Sequence, residues 1–548
     1  MATMLSRRHF LSSFGGPIGV FTIPKPCWTR IFAKTAGLGA VLRHDRTEQA
    51  YRVRCDAAWF QKTRERTAVR TNGDDNRFPS GSLSYSKALP HDNNGEPDST
   101  AYAALLRALN SGKSEDFLRI PLEGVVYLTN PQSAYTFGLQ GADSHHLDLI
   151  PPPSISSAAA AAEMVELYWH AVLRDIAFNQ YQESAPAKTA CEDLTRCTEF
   201  LGPKRLGAVD ASVLFRGNWA EDLAGPYISQ FLYARIPHGV YSLEQRFRMP
   251  APGIDYLTTY DEWLAIQRGG APRSDVHLEA ERRFIRTGRD LARYVHRDYS
   301  FQAFLNAALF LTNLGDEYVA LNPYVRRGCP VTATMTPIVT EVGFCTFGAP
   351  AVLSAVTAVA NLALHASWRQ KWLVHRRLRP EEFGERVDSN NTHPDRYPVH
   401  KDVLSSPVRD YLPSRRALLP QAYPEGAPTH PSYPAGHAAV AGACATILKA
   451  FFRQDANFPS PVEPSEDGLT LIPASDHNLT VAGEINKLAS NISFGRNFAG
   501  VHYRSDAIGG IRLGELVAIA YLRDLKRCLT EDFDGFEITT FGGKVITI

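Results

Sequence analysis

No run of about 18 consecutive apolar residues occurs anywhere in the 548-residue chain, so no segment reads as membrane-spanning. Charge of one sign is also missing. With 58 Lys and Arg against 57 Asp and Glu, the net charge is +1, and no basic surplus exists for binding nucleic acid or another polyanion. The eight cysteines form no CxxC pair and no Cys/His spacing suited to zinc. Cys191 and Cys197 are near enough in sequence to bridge, and equally read as two reduced thiols; Cys444 reads as core. No short-period repeat is present. What remains is an ordinary globular composition, 44% hydrophobic and 21% charged, with length for two or three domains' worth of core.

The N-terminal "SRRHFLSS", Ser6–Ser13, resembles a twin-arginine export signal, although Gly15, Gly16, Pro17, Pro24 and Pro26 interrupt the apolar stretch behind it. A real signal implies a periplasmic or extracellular protein; without one the chain is cytoplasmic. Residues 1–45 are therefore set aside as a leader, 46–150 read as a loop-rich N-terminal region, and 151–548 as a helical domain.

Within the loop-rich part, "AYAALLRALNSG" predicts a short helix ending at Gly112. Ser156–Tyr181 predicts a long helix, and "VYSLEQRFRM" short β-like runs. Beyond Asp275 helix dominates: "VHLEAERRFIRTGRDLARYVHRD" is amphipathic, "SFQAFLNAALFLTNLG" is nearly all apolar, and "AVLSAVTAVANLALHASWRQKWLVHRRL" reads as one helix stopped by Pro380. Helices apolar over most of their circumference belong inside a bundle. The tail "FEITTFGGKVITI" predicts a β-hairpin turned by Gly542-Gly543.

Three segments carry chemistry together. "WRQKWLVHRRLRP" places Lys371 and Arg379 eight residues apart, a little over two helical turns, next to an apolar stretch where cations need an anionic partner. "THPSYPAGHAAV" sets His430 and His437 around a turn in which Gly436 lets backbone amides approach an anion at the start of a helix. "SFGRNFAGVHYRSD" has Arg496 and His502 six residues apart, with Gly500 between them to break a helix and turn both to one site. Asp506, four residues on, is placed to hold the second nitrogen of His502. Two Arg, one Lys, a glycine turn and two His make a pocket for a tetrahedral oxyanion.

The order K-x7-R-P, P-x-G-H, G-R-x5-H-x3-D resembles the signature of the vanadium haloperoxidase and acid phosphatase superfamily. "ALPHDNNG", "AGPYISQFL", "KWLVHRRLRPE", "LTVAGEINKLASNI" and "GRNFAGVHYRSD" are similar to algal-type vanadium bromoperoxidases, from about residue 80 to the C-terminal hairpin. The resemblance implies a mainly α fold of paired four-helix bundles with a few short β-hairpins, assembled as a homodimer or larger homo-oligomer. It implies vanadate as cofactor, with no haem. His502 would be the axial vanadium ligand, and Lys371, Arg379, Arg496 and the Gly436 amide would neutralise its oxygens. His437 would be the acid–base partner, and Trp368 and His430 would line the halide pocket. Hydrogen peroxide, polarised by Lys371, would oxidise halide, with bromide and iodide favoured, to hypohalous acid that halogenates a small organic acceptor.

One position departs from that family's pattern: Ala435 stands where a Ser usually donates to vanadate, a loss of about 1–3 kcal/mol. Two other readings follow from the same residues. The scaffold suits an acid phosphatase in which His502 attacks phosphorus, and Ala435 suits a silent oxyanion-binding relative. The region "NPYVRRGCPVTATMTP" lacks an acidic cluster, so no calcium site is predicted.

Overall fold

The computed structural model describes residues 45–324, 338 and 340–548. The leader and nearly all of the stretch read as lacking a calcium site fall outside the described residues. The chain divides into a short unit ending at Arg54 and a large unit, Cys55–Ile548, which holds the whole candidate site.

Helices dominate the large unit. Those that build the site region are α1 (Ala158–Leu173), α2 (Gly288–Arg297), α3 (Gln302–Thr312), α4 (Ala349–Arg369), α5 (Pro380–Thr392), α6 (Gly436–Phe451), α7 (Val481–Phe498) and α8 (Arg504–Cys528). Ser157 caps α1 by accepting from the Ala160 N–H, and Thr480 caps α7 by accepting from Gly483. In α7 every residue except Ala482 is buried, as the apolar circumference requires.

The densest packing is between α6 and α8. A Cβ on Gly442 would sit 2.1 Å from the Ile511 carbonyl oxygen, and one on Gly514 2.0 Å from that of Ala439. Glycine at these two positions lets the helix backbones touch, which sets the first turn of α6 against the first turn of α8. The strands form separate antiparallel pairs: β1 (Ile236–His238) with β2 (Tyr241–Leu243), β3 (Phe247–Pro250) with β4 (Leu278–Arg283), β5 (Val462–Pro464) with β6 (Leu471–Pro473), and β7 (Glu537–Thr539) with β8 (Val545–Thr547). The last is the predicted C-terminal hairpin, with Ile538 opposite Ile546.

Four local readings need correction. Leu278–Arg283 is a strand, and only Gly288–Arg297 of that amphipathic stretch is helical. Its composition favours helix, but pairing with Phe247–Pro250 decides the outcome. Asp45–Thr63, read as loop-rich from residue 46 on, is a 19-residue helix with no buried residue, hence no amphipathic period to detect. The helix ahead of Lys371 does not run to Pro380. It widens into a π-helical turn over Gln370–His375 and stops at Arg376 in the left-handed region (φ 40°), and Pro380 opens α5 instead of ending its predecessor. Finally, one helix among the described residues, Ala349–His375, is long and apolar enough to cross a membrane by length and composition, with a mean hydropathy of 1.5 over its best window. Ser354, Thr357, Asn361 and His365 interrupt it, so a search for unbroken apolar runs passes over it. In the fold, α4 packs against α6 and α8.

Candidate active site

Lys371 and Arg379 converge by chain reversal and not by helical periodicity. Lys371 rides on the π-turn, and its Nζ donates to the carbonyls of Pro431 and Ser432, both at 2.7 Å. Arg379 is the N-cap of α5, its backbone N–H held by Glu382 at 2.7 Å. Its guanidinium donates to the His430 and Val501 carbonyls, both at 2.8 Å, to His430 Nδ1 at 2.8 Å and to His502 Nε2 at 3.1 Å. Arg496, near the end of α7, donates to the Val295 carbonyl at 2.8 Å, and among the described residues its Nε has no partner. Lys371 and Arg379 are 0% exposed and Arg496 5%, and among the described residues none of the three has a carboxylate within ion-pair distance.

Three buried cations with no carboxylate in direct contact among the described residues are electrostatically expensive, although the Asp506 charge offsets part of that cost at Lys371 and Arg379. Burial, then Arg379 and Arg496, pushes the Lys371 ammonium well below its ordinary pKa, and burial lowers Arg379 to about 10. An anion among them would relieve that cost.

His502 lies in the turn between α7 and α8, where Gly500 takes φ 84° and ends the helix as its position predicts. Nδ1 sits 2.8 Å from Asp506 Oδ2. A carboxylate only accepts, so Nδ1 carries the proton and Nε2 presents its lone pair to the cationic pocket. Burial, then the Arg379 charge, keeps this imidazole neutral. Asp506 is itself held by Arg377 at 2.7 Å, the Ser432 hydroxyl and the Tyr503 N–H at 3.1 Å. Against the upward push of burial, Arg377 and the His502 bond keep its pKa well below the carboxylate range. Arg377 also pairs with Glu163 of α1 at 2.8 Å, which ties this acceptor to the bundle.

The Pro-Ala-Gly turn starts α6, with Gly436 as its first residue and Ala435 as its N-cap; the Ala435 side chain caps nothing. The Ala435 N–H goes to the Asp506 carbonyl at 3.0 Å, locking the turn to α8. A Cβ on Gly436 would lie 3.2 Å from the Trp368 ring, so backbone and indole meet closely there. His437 is half-buried, with Nε2 3.0 Å from Asp298 Oδ1 just past α2. Burial raises the Asp298 pKa, but His437 overcomes this and leaves it below its ordinary value. Trp368 and His430 lie 4.8 Å apart between ring centroids, and the Trp368 indole N–H donates to the Thr129 carbonyl at 3.1 Å.

These contacts link Trp368, Lys371, Arg379, His430, Gly436, His502 and Asp506 into one cluster, with Arg496 near enough that its charge depresses both Lys371 and Arg379. His437 stands in the first turn of the same helix as Gly436, turned toward Asp298. The sequence reading passed over Arg377, Ser432, Asp298, Glu163 and Thr129. Arg377 and Ser432 lie inside the quoted motifs and were open to recognition. Asp298, 139 residues from His437, and Glu163, 214 from Arg377, carry no local signal.

The chain is similar to known proteins over nearly its whole length. The family model of the VCPO second helical-bundle domain matches residues 352–531. A vanadium-dependent bromoperoxidase of Ascophyllum nodosum is 34% identical over 92% of this chain and 93% of its own. That of Corallina pilulifera is 33% identical over 88% and 94%. Among solved structures, the homohexameric second vanadate-dependent bromoperoxidase of Ascophyllum nodosum superposes with a TM-score of 0.85 at 28% identity, covering 94% of this chain and 93% of that one. Relatives of this identity over nearly the whole length establish that the chain belongs to the vanadium-dependent bromoperoxidase family.

Proposed function

We propose that this protein is a vanadate-dependent haloperoxidase that uses hydrogen peroxide to oxidise bromide or iodide: H2O2 + Br− + H+ gives HOBr + H2O, and the hypohalous acid halogenates an organic acceptor. One observation carries the reading: among the described residues three buried cations have no carboxylate within ion-pair distance, and one of them, Arg379, meets the His502 Nε2 whose lone pair Asp506 fixes. An orphaned Arg496 Nε and an uncapped α6 N-terminus add donors, so the residues fit a tetrahedral oxyanion with one coordination position for a ring nitrogen.

In this reading His502 holds the metal through Nε2. Lys371, Arg379, Arg496 and the Gly436 amide neutralise the oxygens. When bound, vanadate supplies a Lewis acid that activates peroxide without changing oxidation state. His437, oriented by Asp298, moves the peroxide proton, and Lys371 withdraws charge from the oxygen that goes to the halide. Trp368 and His430 form the halide side. The homohexameric relative supports a homo-oligomer.

The test uses metal-free protein prepared without phosphate. Orthovanadate, peroxide and bromide are added and bromination of a phenolic dye followed, with His502→Ala and a phosphatase substrate in parallel. Vanadate-dependent bromination lost in His502→Ala is the expected result. Phosphate release blocked by vanadate, with no bromination, would move the protein to the hydrolytic branch.

A further inference from the structure

The groups that hold Arg496 by direct contact are neutral. Its Nη1 donates to the Val295 carbonyl at 2.8 Å and to the Tyr423 hydroxyl at 3.4 Å, and its guanidinium carbon lies 5.4 Å from the centroid of the Tyr423 ring. Val295 is in the last turn of α2, where carbonyls run out of helical donors and form the negative end of the helix dipole. A carbonyl and a ring attract a guanidinium without cancelling its charge. An arginine held this way keeps that charge for a ligand.

Tyr423 is itself fixed from α2. It is 2% exposed, its hydroxyl donates to the Ala292 carbonyl at 2.6 Å, and the His296 imidazole stacks on its ring, 3.8 Å between centroids and 12° from parallel. His296 Nε2 lies 2.5 Å from Glu425 Oε1. A carboxylate only accepts, so Nε2 carries the proton. Burial, against the pull of Glu425, keeps the His296 pKa below its ordinary value, so the ring adds no second cation beside Arg496. Tyr423 and Glu425 stand two residues apart in one loop that embraces the end of α2, and the Ala422 N–H pins that loop to the Ala499 carbonyl just past α7 at 3.1 Å. Packing alone would not call for a hydroxyl, an imidazole and a carboxylate in series beside one arginine, because burying polar groups costs more than burying apolar ones of the same shape.

We infer that Tyr423, fixed by His296 and Glu425, is a positioning residue for Arg496, setting the guanidinium in the oxyanion pocket while leaving its charge uncancelled. The inference rests on the oxyanion reading above and adds to it the device that aims one of the three cations.

The test titrates orthovanadate by calorimetry into phosphate-free, full-length wild type, Tyr423→Leu, His296→Gln and Arg496→Met, and into each of the first two substitutions combined with Arg496→Met. Tyr423→Leu should bind about tenfold more weakly than wild type and His296→Gln about threefold. Both losses should disappear in the Arg496→Met background, where Lys371, Arg379 and His502 still bind the anion. A role in packing alone would not produce that non-additivity. His296→Gln keeps a donor for Glu425 and removes the stacked ring, so it is read in place of Tyr423→Leu should the latter fail to fold. Wild-type affinity in the variant read, or a loss of the same size in the Arg496→Met background, would overturn the positioning role and leave the oxyanion site intact. A wild type that binds no vanadate would overturn both.

Discussion

Arg377 and Arg379 are two residues apart and both buried, yet their surroundings are opposite. Arg377 bridges Glu163 and Asp506, and despite burial those two carboxylates hold its pKa above the ordinary arginine value. Arg379 meets only carbonyls and imidazoles, and burial brings it down to about 10. The same split runs through the bundle. Arg504 pairs with Glu166 and Lys87 with Glu381, whereas among the described residues Lys371 and Arg496 have no carboxylate within ion-pair distance. At Arg377, Arg504 and Lys87 the counter-ion is built into the scaffold; at Lys371, Arg379 and Arg496 that place is left open, and in the proposed reading an anion takes it. Adjacent positions in one motif are thus separated by charge balance and not by burial.

Substitution at the two kinds of position should therefore give opposite profiles. Arg377→Met strands Glu163 and Asp506 and is expected to cost about 3–5 kcal/mol of stability, read in denaturant unfolding. Lys371→Met removes an unpaired charge, so the anion-free protein should be as stable as wild type or more so. Its bromination rate should fall by about 10²–10³-fold. Equal destabilisation by both would erase the distinction.

The Asp298–His437 contact sharpens the comparison, because here a carboxylate supports a proton-moving group. Asp298→Asn should lower the bromination kcat about 10–100-fold while leaving vanadate affinity nearly unchanged, a division that titration and kinetics separate. The next effect is smaller. Ala435→Ser restores a hydroxyl at the head of α6 and should tighten vanadate binding about tenfold.

The smallest expected effect concerns a buried histidine outside the pocket. Among the described residues neither ring nitrogen of His375 has a hydrogen-bond partner, and burial, then Arg376 and Arg377, lowers its pKa to about 3. The unfolded chain binds that proton near pH 6.5 and the folded one only far below, so this contribution to stability is full above pH 6.5 and shrinks as pH falls toward 3. Between pH 7 and pH 5.5 wild type should lose about 1 kcal/mol from this residue, and His375→Phe should not. Parallel unfolding curves at the two pH values would show it.

The pocket was more legible in the sequence than the elements that carry it. Lys371, Arg379, His430, Gly436, Arg496, His502 and Asp506 stand in short motifs whose glycine and spacing already suggested convergence, and Gly500 does break α7 as read. How Lys371 reaches Arg379 was not legible, because a π-turn and a left-handed Arg376 leave no periodic trace. Leu278–Arg283 failed for a related reason: its helical composition yields to the distant partner strand Phe247–Pro250. Asp298 and Glu163 act only through contacts across the bundle, and a single chain read in order shows nothing of such pairs.

The central claim, that the carboxylate-free cations form one oxyanion site, is tested most directly by titrating orthovanadate into phosphate-free wild type and into Arg379→Met by calorimetry. One site in the wild type, lost in the variant while Arg496→Met weakens it and the fold remains intact, is the predicted result. Equal binding by Arg379→Met and wild type, or no vanadate binding by the wild type, would contradict it.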